Sequence, residues 1–426
     1  MIRRLMIFVV LFTVPVIAST SSEETAQWPS LRGPNDNGLV LEGNPPVEWS
    51  EQKNIRWKTA IPGAGHATPI LWGDFLYVQS AVEIAAEGVP PSTKHQYKLF
   101  AVNRNSGKVA WEKTVREGPP AESRHHQTST FASNSGITDG EHLYAYFGSQ
   151  GLYCFDFKGN LKWQKDFGDM RTRNSFGEGS SPAIEGDLIV VNWDHEDDSF
   201  IVALNKRTGK ELWRTERSEV SSWATPLIVE HAERHQVIVP ASGKSRSYDL
   251  KTGKSIWECA GLGSNVIPMA LHQDGVVYVT SGHRSPAMQA ILLDEAKGDI
   301  TGTDAVLWSI DQNTPYVSSP VLYGDRLFMT KNRNAILSSY NSKSGEMIFG
   351  PERLVGMGHV YASLVGVKDR FYISDLDGTT LVVKNATEFG VLARNVLDEG
   401  AAASPIIAGD VLYLRGYNHI YCIGEN

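Results

Sequence analysis

Cysteine is nearly absent from this chain of 426 residues, which contains only three. Cys154, Cys259 and Cys422 are too few and too far apart for a disulfide framework or a zinc cluster. A Cys-x-x-Cys-His site for covalent haem attachment is also missing. Cys154 and Cys422 each follow an aliphatic residue and a tyrosine. Because this register recurs in two distant stretches, we expect both thiols to be buried in separate repeats.

An excess of basic residues is absent too. Lys and Arg number 40 against 48 Asp and Glu, and the formal net charge is −8. This balance excludes the uniformly basic surface by which many proteins bind nucleic acid. The scattered histidines match no zinc-binding spacing such as His-Glu-x-x-His, and Ser180-Ser181 and Ser318-Ser319 do not stand in a Gly-x-Ser-x-Gly elbow. No catalytic residue is therefore assigned.

An apolar run from Leu5 to Val16 follows Arg3 and Arg4 at the start of the chain. Basic residues, a short apolar core and a small residue such as Ala18 are the parts of a secretory signal peptide. The core is too short for a comfortable membrane span, and no cysteine follows it for a lipoprotein anchor. We predict a signal peptide at residues 1–18 and an exported protein, periplasmic or extracellular, with no transmembrane span once mature. An uncleaved membrane anchor is the alternative.

The stretch from Ile201 to Trp213, IVALNKRTGKELW, has the pattern of a strand, a tight turn and a second strand. Asn205 and Gly209 stand where the chain reverses, and both residue types tolerate left-handed backbone angles. Similar hairpins end at Trp111, Trp163, Trp257 and Phe349. Self-similarity at a period of roughly 40 to 50 residues is typical of a propeller with four strands per blade. The final aromatic residues are expected to fill wedges between blades.

Eight repeats can be counted, each opening with small residues or proline before a strand. The openings are residues 67–70, 132–135, 180–183, 224–227, 266–269, 318–321, 361–364 and 403–406. Residues 54–59 look like a fourth strand without its first three, whereas residues 401–424 supply three strands without a fourth. We therefore predict an all-β protein, an eight-bladed β-propeller of four-stranded blades, whose ring is closed by an N-terminal strand that completes the last blade. Residues 19–46 are expected to form a partly disordered extension, and residues 47–426 a single propeller domain.

The Asn/Asp-x-x-Thr/Ser-Gly-Lys-x-x-Trp pattern at 103–111, 205–213 and 249–257 resembles the tryptophan-docking repeats of the pyrroloquinoline-quinone-like (PQQ-like) propellers. That family includes quinoprotein alcohol dehydrogenases and BamB, a non-catalytic lipoprotein that assists the assembly of outer-membrane β-barrels. The chain is most similar to the secreted bacterial stand-alone propellers of the group. The resemblance implies the fold, whereas activity depends on the site that each propeller carries.

Three functions remain open. The favoured hypothesis is a non-catalytic binding or scaffold protein, expected to be monomeric, that binds a protein partner, an anionic small molecule or a glycan. The second is a PQQ- and Ca²⁺-dependent dehydrogenase of an alcohol or sugar, for which Glu178, Asp194, Asp197, Trp223 and Asp375 offer parts. The adjacent cysteine pair of some of those enzymes is missing here, and the chain is too short for their long insertions. The third is a polysaccharide-handling enzyme, which would use Glu178 and Asp194 as its pair of carboxylates.

The loops entering the first strand of each blade and those joining the second strand to the third are predicted to share one face, with the Thr-Gly-Lys turns on the other. The first face is rich in cations, which suit carboxylate, sulfate or phosphate groups at the axial mouth. The candidate ligand-binding residues are His66, His126, Arg171, Arg173, Glu178, Trp193, Trp223, Arg246, Arg284, Tyr316, Lys331, Arg333, His359 and Arg415. Alternatively, these cations pair with neighbouring acids as solvated loop charges.

The acidic segment Trp193 to Asp198 offers oxygen ligands for Ca²⁺, with Asp194 and Asp197 as the metal candidates. Its spacing differs from that of a calcium loop, and contiguous residues of an extended chain point in alternate directions. A solvated acidic hairpin is the favoured interpretation of the segment.

Overall fold

The computed structural model describes residues 26–84, 94–123, 125–331 and 335–425. The predicted signal peptide, the start of the predicted extension and Arg333 lie outside the described residues. No helix within the described ranges is long and apolar enough to cross a membrane.

The described chain consists almost entirely of short antiparallel strands arranged as eight sheets. Two strands precede the first blade: β1 (Leu39–Val40) and β2 (Ile55–Ala60). Blade 1 contains β3 (Ile70–Trp72), β4 (Phe75–Glu83), β5 (His95–Asn103) and β6 (Val109–Gly118). Blade 2 contains β7 (Ile137–Thr138), β8 (Leu143–Tyr146), β9 (Leu152–Phe155) and β10 (Leu161–Lys165). Blade 3 contains β11 (Ala183–Glu185), β12 (Leu188–Trp193), β13 (Phe200–Asn205) and β14 (Glu211–Glu216). Blade 4 contains β15 (Leu227–His231), β16 (Arg234–Val239), β17 (Lys244–Asp249) and β18 (Ser255–Ala260).

The second half of the ring follows the same plan, with one additional short strand. Blade 5 contains β19 (Leu271–Gln273), β20 (Val276–Ser281), β21 (Ala287–Leu292) and β23 (Val306–Ile310), while β22 (Gly298–Asp299) pairs with β18 of blade 4. Blade 6 contains β24 (Val321–Tyr323), β25 (Arg326–Lys331), β26 (Ile336–Asn341) and β27 (Met347–Arg353). Blade 7 contains β28 (Val365–Val367), β29 (Arg370–Ser374), β30 (Thr379–Lys384) and β31 (Val391–Val396). Blade 8 contains β32 (Ile406–Ala408), β33 (Val411–Arg415) and β34 (His419–Ile423). Two single turns of 3-10 helix lie at Gly148–Gln150 and Arg173–Ser175.

The last blade is completed by the N-terminal strand. β2 pairs antiparallel with β34, so that Trp57 lies opposite Cys422 and Ala60 opposite His419. This pairing confirms the predicted eight-bladed propeller and its closure by an N-terminal strand, which forms the outer strand of blade 8. Cys154, Cys259 and Cys422 are buried and form no disulfide with one another. The burial of Cys154 and Cys422 was expected from their shared register.

The recurrent turns are locally determined. In the hairpin of blade 3, the Asn205 side-chain oxygen accepts hydrogen bonds from the backbone N–H groups of Arg207 and Thr208, at 3.1 Å each. Gly209 then adopts a φ of +68°, which a side chain would disfavour. The backbone N–H of Gly209 donates to the Asn205 carbonyl at 2.8 Å, and this bond closes the turn.

The tryptophan at the end of one blade docks on the turn of the next. The indole N–H groups of Trp57, Trp163, Trp213 and Trp308 each donate, at 2.9 Å, to a backbone carbonyl of the turn in the following blade. A Cβ built on the turn glycine would come within 2.6 to 2.8 Å of the indole at Gly107, Gly209 and Gly345. The glycine is therefore required twice, for the left-handed backbone and for the ring that covers it. These turns are structural, as predicted.

Blade 5 departs from this repeat. Its third and fourth strands are joined by a long connection containing β22, so Trp257 at the end of blade 4 meets no short glycine turn. Instead its indole N–H donates to the Gln236 side-chain oxygen at 3.1 Å, and the ring is 1% exposed. Phe349 takes the place of tryptophan in blade 6 and packs against Phe328 and Phe389, with centroids 6.1 Å away in both cases.

The segment from Trp28 to Gly38 crosses one end of the axial channel. Trp28 exchanges two backbone hydrogen bonds with Leu71 of blade 1, and the Thr138 N–H of blade 2 donates to the Pro29 carbonyl. On the other side of the ring, the Arg32 guanidinium donates to the carbonyl oxygens of Pro320 and Leu364, at 2.8 Å each. β1 then pairs in parallel with β28 of blade 7. Because blades 2 and 6 face each other in a ring of eight, this segment spans the channel.

Candidate functional site

The opposite end of the channel is lined by aromatic side chains. A cavity of about 210 Å³ lies there, and its lining includes His126, Phe176, Trp223, His283, Tyr316 and Tyr361. Thr128, Ser129 and backbone near Gly179 complete most of the wall. We call this space the aromatic cavity. Of the described residues that line it, none is Lys, Arg, Asp or Glu, so its polar groups are hydroxyls, imidazoles and indole edges.

Contacts between the segments that enter successive blades hold these rings in place. The Trp223 indole N–H donates to the Gly177 carbonyl at 2.6 Å, and its backbone N–H donates to Val266 at 2.7 Å. The Phe176 ring lies 6.4 Å from that indole at 36°. The centroids of His283 and Tyr316 lie 5.0 Å apart at 33°. The rings thus form a fixed wall that can contact a planar or apolar ligand face.

Deeper along the axis, seven of the eight blades place one hydroxyl at the start of the inner strand. These hydroxyls line a space of about 120 Å³ that shares Gly179, Trp223, Ile267, Val317 and Tyr361 with the aromatic cavity. They belong to Thr68, Ser135, Ser181, Thr225, Ser319, Ser363 and Ser404, which we call the hydroxyl ring. Met269 occupies the eighth position. The aromatic cavity and the hydroxyl ring together form the axial cup.

The hydroxyl ring links neighbouring blades. The backbone N–H of Thr68 donates to Ser135 Oγ at 2.9 Å, and equivalent bonds of 2.9 to 3.0 Å connect five further junctions. Where blade 5 carries Met269, no hydroxyl is present to accept the bond from blade 4. The sequence signal for the ring is the Ser or Thr that recurs in the repeat openings, often before proline, although crowding at the axis also favours small residues there.

Several predicted cations pair with acids instead of lining the aromatic cavity. Arg171 and Asp197 form an exposed pair at 2.6 Å. Arg246 contacts Glu219 and lies 3.2 Å from Glu258, and it belongs to strand β17 where a loop was expected. Acidic residues outnumber basic ones in this chain, so carboxylate partners are abundant. The alternative expected for the loop charges, pairing with neighbouring acids, therefore describes Arg171 and Arg246.

The other predicted residues divide between the cup and its surroundings. His126, Trp223 and Tyr316 line the aromatic cavity, and His66 lines the hydroxyl ring. Arg173, Arg284, Lys331 and His359 lie outside the lining of both spaces: Arg173 in the 3-10 turn, Arg284 in the connection after β20, Lys331 at the end of β25 and His359 before blade 7. Phe176, His283 and Tyr361 were not among the candidates, although Tyr361 stands in a predicted repeat opening and His283 in a loop predicted to lie on the same face.

Asp194 lies in a buried ion pair. Its two carboxylate oxygens accept from Arg217 at 2.6 and 2.9 Å, and neither side chain is exposed. Ser222 Oγ donates to the same carboxylate at 2.5 Å, while Arg217 also donates to the Tyr248 hydroxyl at 2.6 Å. The interpretation of this segment as a solvated acidic hairpin is therefore wrong at Asp194. This carboxylate is buried against Arg217, a partner that the sequence did not indicate. Trp193 is also buried, with its ring 5.7 Å from Phe200.

Glu178 is partly buried and lines a small cavity of about 30 Å³. Its carboxylate accepts from the backbone N–H of Ser149 at 2.7 Å and from Ser149 Oγ at 2.5 Å. Burial raises the pKa of Glu178 from 4.5 to about 7, although the bonds from Ser149 oppose the rise. Because Asp194 is held by Arg217, the structure does not present these two carboxylates as an open catalytic pair.

Metal ligands do not converge on the cup. Among the described residues, the one group of three side chains placed to share a metal ion is Asp139, Glu141 and His142, in the turn between β7 and β8 on the other face. Asp139 already contacts Lys206 at 3.0 Å and accepts the N–H groups of that turn. Asp375 likewise accepts backbone N–H groups from Asp377, Thr379 and Gly358. The described donor set at the cup therefore does not fit a carboxylate-bound Ca²⁺.

Known proteins share the repeat and the fold of this chain. A family model described as outer membrane protein assembly factor BamB matches residues 34–178 and 129–261, which together cover more than half of the chain. The chain belongs to this family of PQQ-like β-propellers. It is also 31% identical over 94 residues to subunit 1 of methanol dehydrogenase [cytochrome c] of Methylobacterium organophilum. That alignment spans 20% of this chain and 14% of the length of the relative.

Solved structures share the fold at low identity. BamB from Moraxella catarrhalis has a TM-score of 0.54 at 13% identity, over 81% of this chain and 100% of that one. A europium-containing methanol dehydrogenase reaches 0.65 at 10% identity, over 93% of this chain and 91% of that one. A quinohemoprotein alcohol dehydrogenase from Comamonas testosteroni reaches 0.64 at 9%, over 95% and 82%. The same architecture therefore occurs both in BamB and in proteins named as dehydrogenases. The fold alone does not distinguish a binding protein from an enzyme.

Proposed function

We propose that this protein is an exported, non-catalytic binding protein whose axial cup receives an anionic small molecule, an anionic glycan unit or a side chain of a protein partner. The observation that carries the proposal is the shape and lining of the cup. One end of the channel is crossed by Trp28 to Gly38, and the other opens through the aromatic cavity of about 210 Å³. A concave site with apolar rings and a few directed polar groups is the usual form of a small-ligand site.

The two parts of the cup suit different parts of one ligand. Fixed rings such as Trp223 and Tyr316 favour the flat or apolar face of a sugar or planar molecule. The hydroxyls below them suit a group that accepts hydrogen bonds. Because the wall of the aromatic cavity is neutral, long-range electrostatic attraction would contribute little to affinity. Binding would depend on direct contacts between the ligand and the wall.

The first test measures binding of glucuronate, an acidic sugar, against glucose as the neutral control. We expect a saturable rise in the thermal midpoint of unfolding with glucuronate, because a ligand that binds only the native state stabilises it. The Trp223→Leu and Tyr361→Ala variants should lose this rise, whereas Trp163→Phe on the other face should keep it. If glucuronate raised the thermal midpoint of both cup variants as much as that of the parent protein, binding of a sugar acid in the cup would be contradicted. The same would follow if neither sugar raised the midpoint of the parent protein.

The second candidate is a PQQ- and Ca²⁺-dependent dehydrogenase of an alcohol or sugar. The 94-residue match to methanol dehydrogenase favours it. The described residues lining the cup provide no cluster of carboxylates to hold the metal that this chemistry requires. Titration with PQQ and Ca²⁺, followed by quinone absorbance and dye-linked turnover, separates the candidates. Saturable binding with turnover would replace the first proposal, while the absence of both is the expected result.

A further inference from the structure

The hydroxyl ring has hydrogen-bond donors to spare. Six of its seven members accept a backbone N–H from the preceding blade, which uses one lone pair on each oxygen. A serine or threonine hydroxyl also carries one O–H donor that can rotate toward a partner. The residues of the ring line the space of about 120 Å³ on the axis. O–H groups turned toward that space would surround it with donors.

Two buried arginines lie next to this ring. Arg32 donates to the carbonyls of Pro320 and Leu364, the residues that follow ring members Ser319 and Ser363. Arg415 lies at the junction of blades 8 and 1, and its guanidinium contacts the Ala67 carbonyl at 3.4 Å, one residue before Thr68. Arg32 is 0% exposed and Arg415 is 3% exposed. Positive charge therefore flanks the ring on blades 6 and 7 and again on blades 8 and 1.

These charges lack full compensation within the protein. Among the described residues, the hydrogen-bond acceptors of both arginines are backbone carbonyls rather than carboxylates, and the Arg32 Nε–H has no hydrogen-bond partner. Asp36 is the acid near Arg32, and it accepts a hydrogen bond from Ser30 at 2.5 Å. Burial lowers the pKa of Arg415 to about 9, because nothing nearby favours its charge. A buried charge without a partner is expensive, which points to a counter-charge supplied from outside.

We propose that the hydroxyl ring is a binding site for a small anion, either a monovalent inorganic anion or a carboxylate group. It rests on the proposed function in one respect, because the anion enters through the axial cup. Neutral O–H donors would hold the anion, and Arg32 and Arg415 would provide the field that favours it. A cation is disfavoured by the same two charges, and by the lone pairs already used in accepting the inter-blade bonds.

His66 does not supply the positive charge of this site. Its imidazole lines the same space, and its Nδ1 contacts the Thr128 carbonyl at 3.1 Å, which leaves Nε2 unprotonated in the neutral tautomer. Burial lowers the pKa of His66 to about 4, and the charge of Arg415 contributes to the lowering. His66 therefore does not supply the positive charge near neutral pH, so the two arginines must.

The experiment uses chloride as the probe, on the full chain from Ser19 onward. Chloride exchanging with a protein site broadens its ³⁵Cl nuclear magnetic resonance line, and a competing anion that takes the site narrows the line again. We expect saturable excess broadening that acetate and nitrate reverse. The broadening should persist in Phe176→Leu, because Phe176 lines the aromatic cavity and not the space within the hydroxyl ring. Failure of ligand binding in the aromatic cavity and failure of this proposal can therefore be told apart.

Two variants test the roles of Arg415 and Thr68 in chloride binding. Arg415→Met should weaken chloride binding by at least about tenfold, because it removes one of the two buried charges whose field favours the anion. It should also raise the thermal midpoint of the chloride-free protein, since a purely structural arginine would give a fall. Thr68→Val removes a ring hydroxyl that accepts none of the six inter-blade bonds, so it should weaken chloride binding without unfolding the ring.

Arg171→Ala serves as the matched control, because Arg171 is an exposed arginine paired with Asp197. It should bind chloride as the parent protein does. Broadening that never saturates, or that is equal in Arg415→Met and in the control, would overturn the proposal. A fall in the midpoint of Arg415→Met with chloride binding intact would overturn it as well, since it would assign Arg415 to the fold.

Discussion

The two faces of the propeller are built on different principles. On the face of the turns between third and fourth strands, one contact is repeated: an indole lies over the glycine of the next blade and donates to its turn. On the face that opens into the axial cup, the residues entering each blade differ, and Phe176, Trp223 and Tyr316 each occupy a position of their own. Repetition therefore specifies the architecture, and departures from it form the candidate site.

The axis combines both principles. The hydroxyl ring repeats in seven blades and is interrupted once, at Met269, yet it lines the deepest part of the cup. Its inter-blade bonds serve the fold, and its remaining donors are available to a ligand. A residue on the cup face can thus be structural, and a repeated residue can belong to a site.

Asp194→Ala is expected to have the largest effect. It leaves Arg217 buried without its carboxylate partner, a loss that typically costs about 3 to 5 kcal/mol of folding free energy. Urea unfolding of the purified variant measures it. Asp197→Ala, three residues away, is the matched control, because Asp197 is half-exposed and its pair with Arg171 is in solvent. Equal midpoints for Asp194→Ala and the parent protein would show that the pair is not needed for stability.

Trp213→Ala tests the repeated face. The indole of Trp213 packs on Gly253 and donates to the Leu250 carbonyl at 2.9 Å, so its removal takes away both packing and a hydrogen bond between blades. We expect a loss of about 3 kcal/mol, the lower end for tryptophan truncation, because the ring is only half-buried. Leu212→Ala is the neighbouring control, since that side chain is 51% exposed. A similar loss in both variants would argue against a special role for the docked indole.

Much of the fold was predictable because a propeller repeats its signals. The turns around Asn205 and Gly209 carry the same residue types in several blades, so local chemistry and the fold agree. The closing strand was predictable because residues 54–59 complete the count of strands in blade 8. The path of Trp28 to Gly38 across the channel was not, since its contacts with Leu71 and Leu364 join residues far apart in the chain.

The site was predictable only in part. Trp223 and Tyr316 were found from their place before an inner strand, and His66 by the same argument. The ion pair of Asp194 with Arg217 could not be anticipated, because Arg217 follows strand β14, where a charged residue normally faces solvent. Ion pairs also determine where the predicted cations lie. A single sequence does not indicate which carboxylate pairs with which basic side chain.

Glu178→Gln is expected to have the smallest effect and the one of opposite sign. Burial raises the pKa of this carboxyl from 4.5 to about 7, so the folded protein binds its proton more tightly than the unfolded chain does. The stability of the parent protein should therefore fall as the pH rises through that interval. Glutamine carries no charge and can still accept the Ser149 N–H. Relative to the parent protein, we expect Glu178→Gln to gain about 2 kcal/mol at pH 8 and almost nothing at pH 4.5.

Urea unfolding at several pH values checks the prediction, and the result separates two roles for a partly buried acid on the cup face. A gain that grows with pH means that Glu178 is tolerated at a cost, as expected for a residue kept for a reason other than stability. A loss at every pH would mean that the two hydrogen bonds from Ser149 require the carboxylate, and Glu178 would then belong to the architecture. The sign of this difference places Glu178 on one side of the boundary between fold and site.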